Sequence, residues 1–247
     1  MKTMNLLTLT VVTGSLLTLS LAAQAGILNS PHDFHARPWN VDPANPATVC
    51  GVCHTPHHAS TTAGPLWNHD QTTAAGFTMY ANGAAPGASL KLATELTPAA
   101  SSLACLSCHD GTVAINAYGS PVNPSRTPAE TIATQANLTK DLTHSHPISM
   151  TYSSAQVGNG VGQDKWLFNP DTTPVLTPDS GTFVPGNDMT VNGFLLGSNH
   201  RLECNSCHDV HNQEGTPFNI TSNPKLVKIN GTQAGVGSLL CRSCHNK

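Results

Sequence analysis

All eight cysteines of the 247-residue chain occur in four pentapeptides of the form Cys-x-x-Cys-His. The cysteines are Cys50, Cys53, Cys105, Cys108, Cys204, Cys207, Cys241 and Cys244, and the histidines that complete the motifs are His54, His109, His208 and His245. Two thiols at this spacing can add to the vinyl groups of one porphyrin, and the next imidazole can bind its iron from the same side. Each pentapeptide is therefore a candidate attachment site for one haem c.

A single Cys-x-x-Cys is also typical of a zinc knuckle or of a redox dithiol. Histidine makes up 13 of 247 residues. The probability that chance alone places a histidine directly after all four Cys-x-x-Cys pairs is therefore on the order of one in 100,000, which favours the haem signature. The sequence therefore predicts four covalently bound haem c groups. The cysteines of secreted chains usually form disulfides. We expect none here, because the porphyrins would use every thiol.

Nine histidines lie outside the motifs, enough to give each of four irons a second histidine ligand. We predict His32, His57, His146 and His211 as these ligands and keep His69, His58, His35, His144 and His200 as reserves. Both His57 and His211 follow a motif histidine by three positions, so each leaves the motif beside its own haem and is placed to reach an adjacent one. His146 precedes a proline, and His32 is followed by an acidic and an aromatic residue that could hold its ring.

Methionine as a second ligand would raise the reduction potential of a haem. Three methionines follow the first 25 residues: Met79, Met150 and Met189. Their surroundings show no ligand pattern, so we interpret them as packing residues and methionine ligation as the alternative.

Residues 1–25 have the form of a secretory signal. Lys2 precedes an apolar stretch from Leu6 to Leu21, and Ala23-Gln24-Ala25 supplies a cleavage site. An uncleaved membrane anchor is the alternative. The mature domain would then comprise residues 26–247, without a later stretch near the ~20 apolar residues of a membrane span. We expect a secreted, extracellular protein that passes through the periplasm.

The composition is poor in material for a protein-only core. Aromatic residues make up 5% of the chain, which contains 20 glycines and 18 prolines, a bias towards turns and loops. We therefore predict one haem-cored domain, mostly irregular, with a few short α-helices at the motifs and little β-structure. The clearest helix is Ser101 to His109, capped by Gly111, and the first motif helix should end near His54. Short strands are predicted at Ile148 to Tyr152, Phe194 to Leu196 and Leu226 to Ile229.

Charged residues are only 10% of the chain, with a formal net charge of -3. This balance argues against nucleic acid as a partner and against electrostatic steering of a charged carrier. An uncharged polar surface, by contrast, repels neighbouring copies little and tolerates self-association.

Several further motifs occur in a fixed order along the chain. They read His-Asp-Phe, Cys-x-x-Cys-His-Thr-Pro-His, Pro-Leu-Trp-Asn-His, Cys-Leu-Ser-Cys-His-Asp-Gly-Thr-Val-Ala, His-Pro-Ile-Ser and Cys-His-Asp-x-His. From about residue 31 to the end, this series resembles the small multihaem cytochromes, and in particular the tetrahaem subunits of extracellular cytochrome nanowires of the OmcE type. The resemblance implies bis-histidine haems in a continuous stack and a helical homopolymer. It also implies that a histidine of one subunit completes a haem of the next, here His57, with His58 as the substitute.

The sequence is compatible with three functions. The first is a filament that conducts electrons between other cytochromes and an external acceptor, and the second is a monomeric periplasmic carrier. The third is a multihaem reductase, which needs an open iron and cationic residues around a small oxyanion. The surplus of histidines and the 11 lysines plus arginines argue against an enzyme.

Overall fold

The structure is a computed structural model that describes eleven stretches of the chain and two single residues. These are 26–35, 37, 48–61, 63–80, 97–119, 132, 136–159, 163–176, 189–196, 199–211, 226–229, 232–233 and 237–246. The predicted signal segment, residues 1–25, lies outside the described residues.

Irregular chain dominates the described residues, with few short helices and little sheet, which confirms the coarse prediction. The α-helices are α1 (Thr48–Gly51), α2 (Ala100–His109), α3 (Cys204–Cys207) and α4 (Leu239–Cys244). Single 3-10 turns cover Leu142–His144 and Ser154–Gln156, and one π-helical turn covers Asn192–Leu196. The strands are β1 (Met150–Thr151), β2 (Arg201–Leu202), β3 (Thr232–Gln233) and β4 (Gly237–Ser238), paired antiparallel as β1 with β2 and β3 with β4.

Each described α-helix lies at one Cys-x-x-Cys-His motif, as predicted, and α2 contains a whole motif. The helix of the first motif ends at Gly51, three residues earlier than expected. One helical hydrogen bond still closes behind it, from the His54 amide to the Cys50 carbonyl at 2.8 Å. The spacing of the motif therefore needs only one turn of helix, and the chain leaves the helical path as soon as that turn is complete.

Helix α2 is the longest because its sequence is rich in alanine, leucine and serine without an interior glycine or proline. Leu106 on its inner face is fully buried. The helix ends at His109, and Gly111 two residues later has a φ of +73, in the left-handed region. The Gly111 amide donates to the Cys108 carbonyl at 3.3 Å. This is the glycine cap that the sequence predicted.

Replacing Gly111 with alanine should destabilise the protein. An added Cβ would overlap the side-chain amide of Asn137, and a left-handed backbone costs alanine roughly 1–2 kcal/mol in addition. Thermal unfolding of the purified protein measures the change. The matched control is Gly51→Ala, because nothing lies within 4 Å of that Cβ position; equal losses for both variants would contradict this account of Gly111.

Two of the strand predictions were wrong, and the third was too long. Phe194 to Leu196 lies in the π-helical turn, where Leu195 and Leu196 are buried. Leu226 has a φ of +52, which interrupts an extended chain, and only Val227 forms a bridge there, with His208. Of Ile148 to Tyr152, only Met150–Thr151 is a strand, because Ser149 has a φ of +58.

An apolar cluster lies beside the fourth motif. It contains Tyr152, Val175, Leu176, Val191, Leu195, Leu196, Ile229 and Leu239. Leu239 opens α4, and the Ser243 hydroxyl of the same helix donates to the Leu239 carbonyl and accepts from the Leu176 amide. Burial of this cluster therefore fixes the position of the helix of the fourth motif.

Two local pairings bring distant segments to the other motifs. The first motif is joined to the following loop by a bridge between His54 and Trp67, and that loop is joined to the chain after α2 by a bridge between His69 and Tyr118. Strand β1 pairs with β2, which ends just before the third motif. Among the described helices, none is long and apolar enough to cross a membrane.

Candidate functional site

The first three motifs lie next to one another in chain order. Burial, and then the proximity of Cys53 in the first motif, raises the pKa of Cys108 to about 12. A hydrogen bond to Cys204, together with burial, raises the pKa of Cys105 well above its ordinary value. The second motif therefore lies between the first and the third, with Cys105 and Cys204 in direct contact.

The fourth motif continues this series from the third. Burial, and then the proximity of Cys241, raises the pKa of Cys207 to about 11. Burial, and then the proximity of Cys207, raises the pKa of Cys244 to about 12. The four motifs thus follow one another in space in the order that they have along the chain.

Most of the buried sulfurs are suited to a neutral form; the exception is Cys204, whose pKa is lowered by a hydrogen bond from Cys105. All eight thiols are free in this structure, and burial raises the pKa of Cys53 to about 11. Zinc ligands and exchanging dithiols act as thiolates, which burial disfavours. A thioether to a porphyrin is uncharged, so its burial carries no such penalty.

Three motif histidines each face the imidazole of a second histidine at nearly the same distance. The ring centroids are 6.4 Å apart for His54 and His211, 6.0 Å for His109 and His32, and 6.2 Å for His245 and His146. Two imidazoles that bind one iron from opposite sides have their ring centroids roughly 6 Å apart, because two metal–nitrogen bonds of about 2 Å add to the two ring radii. The three separations therefore fit one iron held between each pair of rings.

The planes of the paired rings differ from pair to pair. They are nearly parallel in the first motif's pair, at 15°, and steeply inclined in the others, at 81° and 70°. Three of the four histidines that the sequence predicted as second ligands, His32, His146 and His211, are thus the residues that the fold brings opposite a motif histidine.

Backbone carbonyls orient several of these rings through the nitrogen that would not bind a metal. The Nδ1 atoms of His54, His109 and His146 lie 3.2, 2.9 and 2.9 Å from the carbonyl oxygens of Pro65, Ala136 and Pro147. Donation from Nδ1 leaves a lone pair on Nε2, which is the usual arrangement of a histidine that ligates a metal. The rings are therefore held in the tautomer that axial ligation requires.

His32 is the most buried of the paired histidines outside the motifs. Burial, and then the proximity of His109 and His208, lowers the pKa of His32 to about 4. Its ring is therefore neutral near pH 7, and the neutral imidazole is the form that binds a metal. Phe34 packs edge-on against the same ring at 5.7 Å between centroids, as the local sequence suggested.

His57 and its neighbour His58 are exposed on the turn that follows the first motif. The Thr55 hydroxyl donates to the His57 carbonyl at 2.9 Å, and His58 has a φ of +59. The turn therefore presents both imidazoles to the outside. His208 of the third motif is exposed too, and a bridge to Val227 fixes its backbone.

The reserve histidines lie in other surroundings. His69 is 2% exposed, and its two ring nitrogens lie 2.7 Å from the Asp70 carbonyl oxygen and 3.2 Å from that of Ile115. It therefore joins the loop after the first motif to the chain after the second. Three further reserves each lie beside an aspartate: His35 beside Asp33, His144 beside Asp141 and His200 beside Asp171.

Two charged residues at the third motif were not found from the sequence. Glu203 is buried directly before Cys204, and Lys228 is held against the motif by a hydrogen bond from its amide to the Cys207 carbonyl at 2.8 Å. Burial lowers the pKa of the Lys228 ammonium, which donates to the Phe194 carbonyl at 3.0 Å. Only 10% of the residues in this chain are charged. A charged residue directly before a motif, such as Glu203, is therefore the sequence feature that could have identified this part of the site.

Within the part of the chain that the structure describes, no group of three or more His, Cys, Asp or Glu side chains could hold a metal ion by itself. The recurring unit is instead the pair of imidazoles. No family model matches the chain, and no curated protein matches it at a significant level.

Proposed function

We propose that this chain is a tetrahaem c-type cytochrome that carries electrons outside the cell and polymerises into a filament with a continuous haem chain. The observation that supports this most strongly is the set of three imidazole pairs with centroids 6.0–6.4 Å apart, each containing one motif histidine. Haem c, when bound, supplies the one-electron couple of its iron.

The residues of this chain would hold, separate and tune those groups. Each motif would fix one porphyrin through two thioether bonds, and each paired histidine would close the remaining axial position. An iron with two histidine ligands has no open position for a substrate. The pairs therefore favour electron transfer over the reductase alternative.

The order of the motifs supports a conduit. Consecutive motifs are neighbours, and the second and third touch through the sulfurs of Cys105 and Cys204. Porphyrins attached to neighbouring sulfurs would lie at near contact, the condition for hopping between haem edges. Four such haems form a path from the first motif to the fourth within one subunit.

Filament formation extends this path through a second copy of the chain. We propose His57 as the ligand that one subunit gives to a haem of the next, in keeping with the resemblance to cytochrome nanowires. Its exposed position on an outward turn leaves the ring available to a neighbour. The alternative is a monomeric periplasmic carrier, which would use the same haems without this contact.

Mass spectrometry of the denatured, secreted protein tests the haem assignment. We expect the mass increase of four covalent haems and loss of one haem in the double variant Cys241→Ser with Cys244→Ser. The matched control is Ser243→Ala, which changes the same motif but neither thiol. A protein with eight free thiols, or one that holds zinc instead, would overturn the proposal.

A further inference from the structure

Glu203 has a buried carboxylate that the proposed axial ligation does not use. The residue is 5% exposed and directly precedes Cys204 of the third motif. Its carboxylate accepts hydrogen bonds from the Ser102 hydroxyl at 2.5 Å, the Ser149 hydroxyl at 2.9 Å and the Arg201 Nε at 3.0 Å. All three groups donate, so the contacts are complementary to a negative charge.

The carboxylate lies between two of the attachment sites. Ser102 lies in helix α2 one turn before Cys105, and its hydroxyl oxygen also accepts from the Cys204 amide at 3.1 Å. Cys105 and Cys204 are themselves hydrogen-bonded. One small polar network thus joins the carboxylate to a cysteine of the second motif and to a cysteine of the third.

The backbone around Glu203 fixes the carboxylate in this place. The Glu203 amide donates to the Ser206 hydroxyl at 2.9 Å, which closes a capping box at the start of α3. Ser149 directly precedes strand β1, and its amide donates to the Leu202 carbonyl of β2 at 2.7 Å. Three elements therefore hold the side chain, and its distance from the two motifs does not depend on a flexible loop.

Arg201 neutralises this charge only in part at the haem sites. The Glu203 side chain is 6% exposed, whereas that of Arg201 is 26% exposed. Water screens the guanidinium more than the carboxylate, so the field that reaches the buried side of the motifs is negative. A negative charge near a haem stabilises the oxidised iron, which carries one more positive charge than the reduced iron.

We propose that the Glu203 carboxylate lowers the reduction potentials of the two haems attached through the second and third motifs. This inference rests on the proposed haem assignment but not on filament formation. Glu203 would act by its field alone, without contact to iron, and would make the two central haems harder to reduce than their surroundings would otherwise allow.

The test is a spectroelectrochemical titration of the subunit with all four haems attached, resolved into four one-electron components. Glu203→Gln keeps the shape and the acceptor oxygen but removes the charge. We expect two components to become easier to reduce, with equilibrium constants raised up to tenfold, which is about 59 mV for one electron. Arg201→Gln removes the counter-charge and should shift the same two components in the opposite direction.

Opposite shifts distinguish an electrostatic role from a structural one, because damage to the fold gives no reason for a change of sign. The matched control is Asp141→Asn, because the Asp141 side chain is 46% exposed and the amide oxygen of asparagine can still accept from the Thr143 amide. This variant should leave all four components in place. Three results would overturn the inference. The titration of Glu203→Gln could be unchanged, all four components could shift equally, or the two variants could shift the components in the same direction. Where Glu203→Gln fails to fold, the direction of the Arg201→Gln shift decides. A chain without covalent haem would instead overturn the proposed function itself.

Discussion

Replacing His57 with alanine should leave four haems attached to each subunit and abolish filament growth. The ring is exposed on the turn behind the first motif, so its removal leaves no cavity in the fold. A filament that depends on a ligand from the neighbouring copy loses that ligand at every junction, which makes the expected loss nearly complete.

Negative-stain microscopy of secreted protein, with haem content measured on the same sample, gives the readout. His58→Ala is the matched control, since the two residues are adjacent and equally exposed; it should form filaments as the parent chain does. Normal filaments from His57→Ala, combined with none from His58→Ala, would assign the contact to His58. Particles of monomer size from the parent chain itself, with four haems attached, would favour the periplasmic carrier.

Replacing His211 with alanine should convert one quarter of the ferric iron from low-spin to high-spin. His211 stacks opposite His54 at 6.4 Å between ring centroids, with the rings only 15° from parallel. Its removal would leave that iron with one protein ligand, while the thioether bonds of the first motif would keep the haem in place.

Electron paramagnetic resonance and the absorption spectrum of the ferric protein measure this change. Added imidazole should restore the low-spin form, because it can occupy the position that the missing ring leaves. His144→Ala is the control, since that ring is 85% exposed and faces Asp141; it should remain wholly low-spin. A low-spin spectrum for His211→Ala would show that another residue completes that iron.

The helices were predictable because each depends on residues that are close in sequence. The Cys-x-x-Cys-His spacing needs one helical turn, and each of the four described α-helices contains the first cysteine of one motif. Gly111 could be placed as a cap from its position two residues after the helix, since a left-handed residue there is nearly always glycine.

The strands were harder to predict because a short apolar run suits a strand or a buried helical turn equally well. Phe194 to Leu196 became a helical turn since Leu195 and Leu196 both enter the apolar cluster beside the fourth motif. An alternating strand would have turned one of them away from it. That choice depends on residues far away in the chain, including Val175 and Leu239.

The pentapeptides alone indicate which cysteines and which four histidines could attach haem, because that chemistry needs only a local spacing. Only the tertiary structure determines which histidine faces which motif. His211 follows the third motif but lies opposite His54 of the first, and His32 from the start of the domain lies opposite His109. No local pattern encodes these pairs, since each is formed by segments that only the packing of the whole chain brings within 6.4 Å of one another.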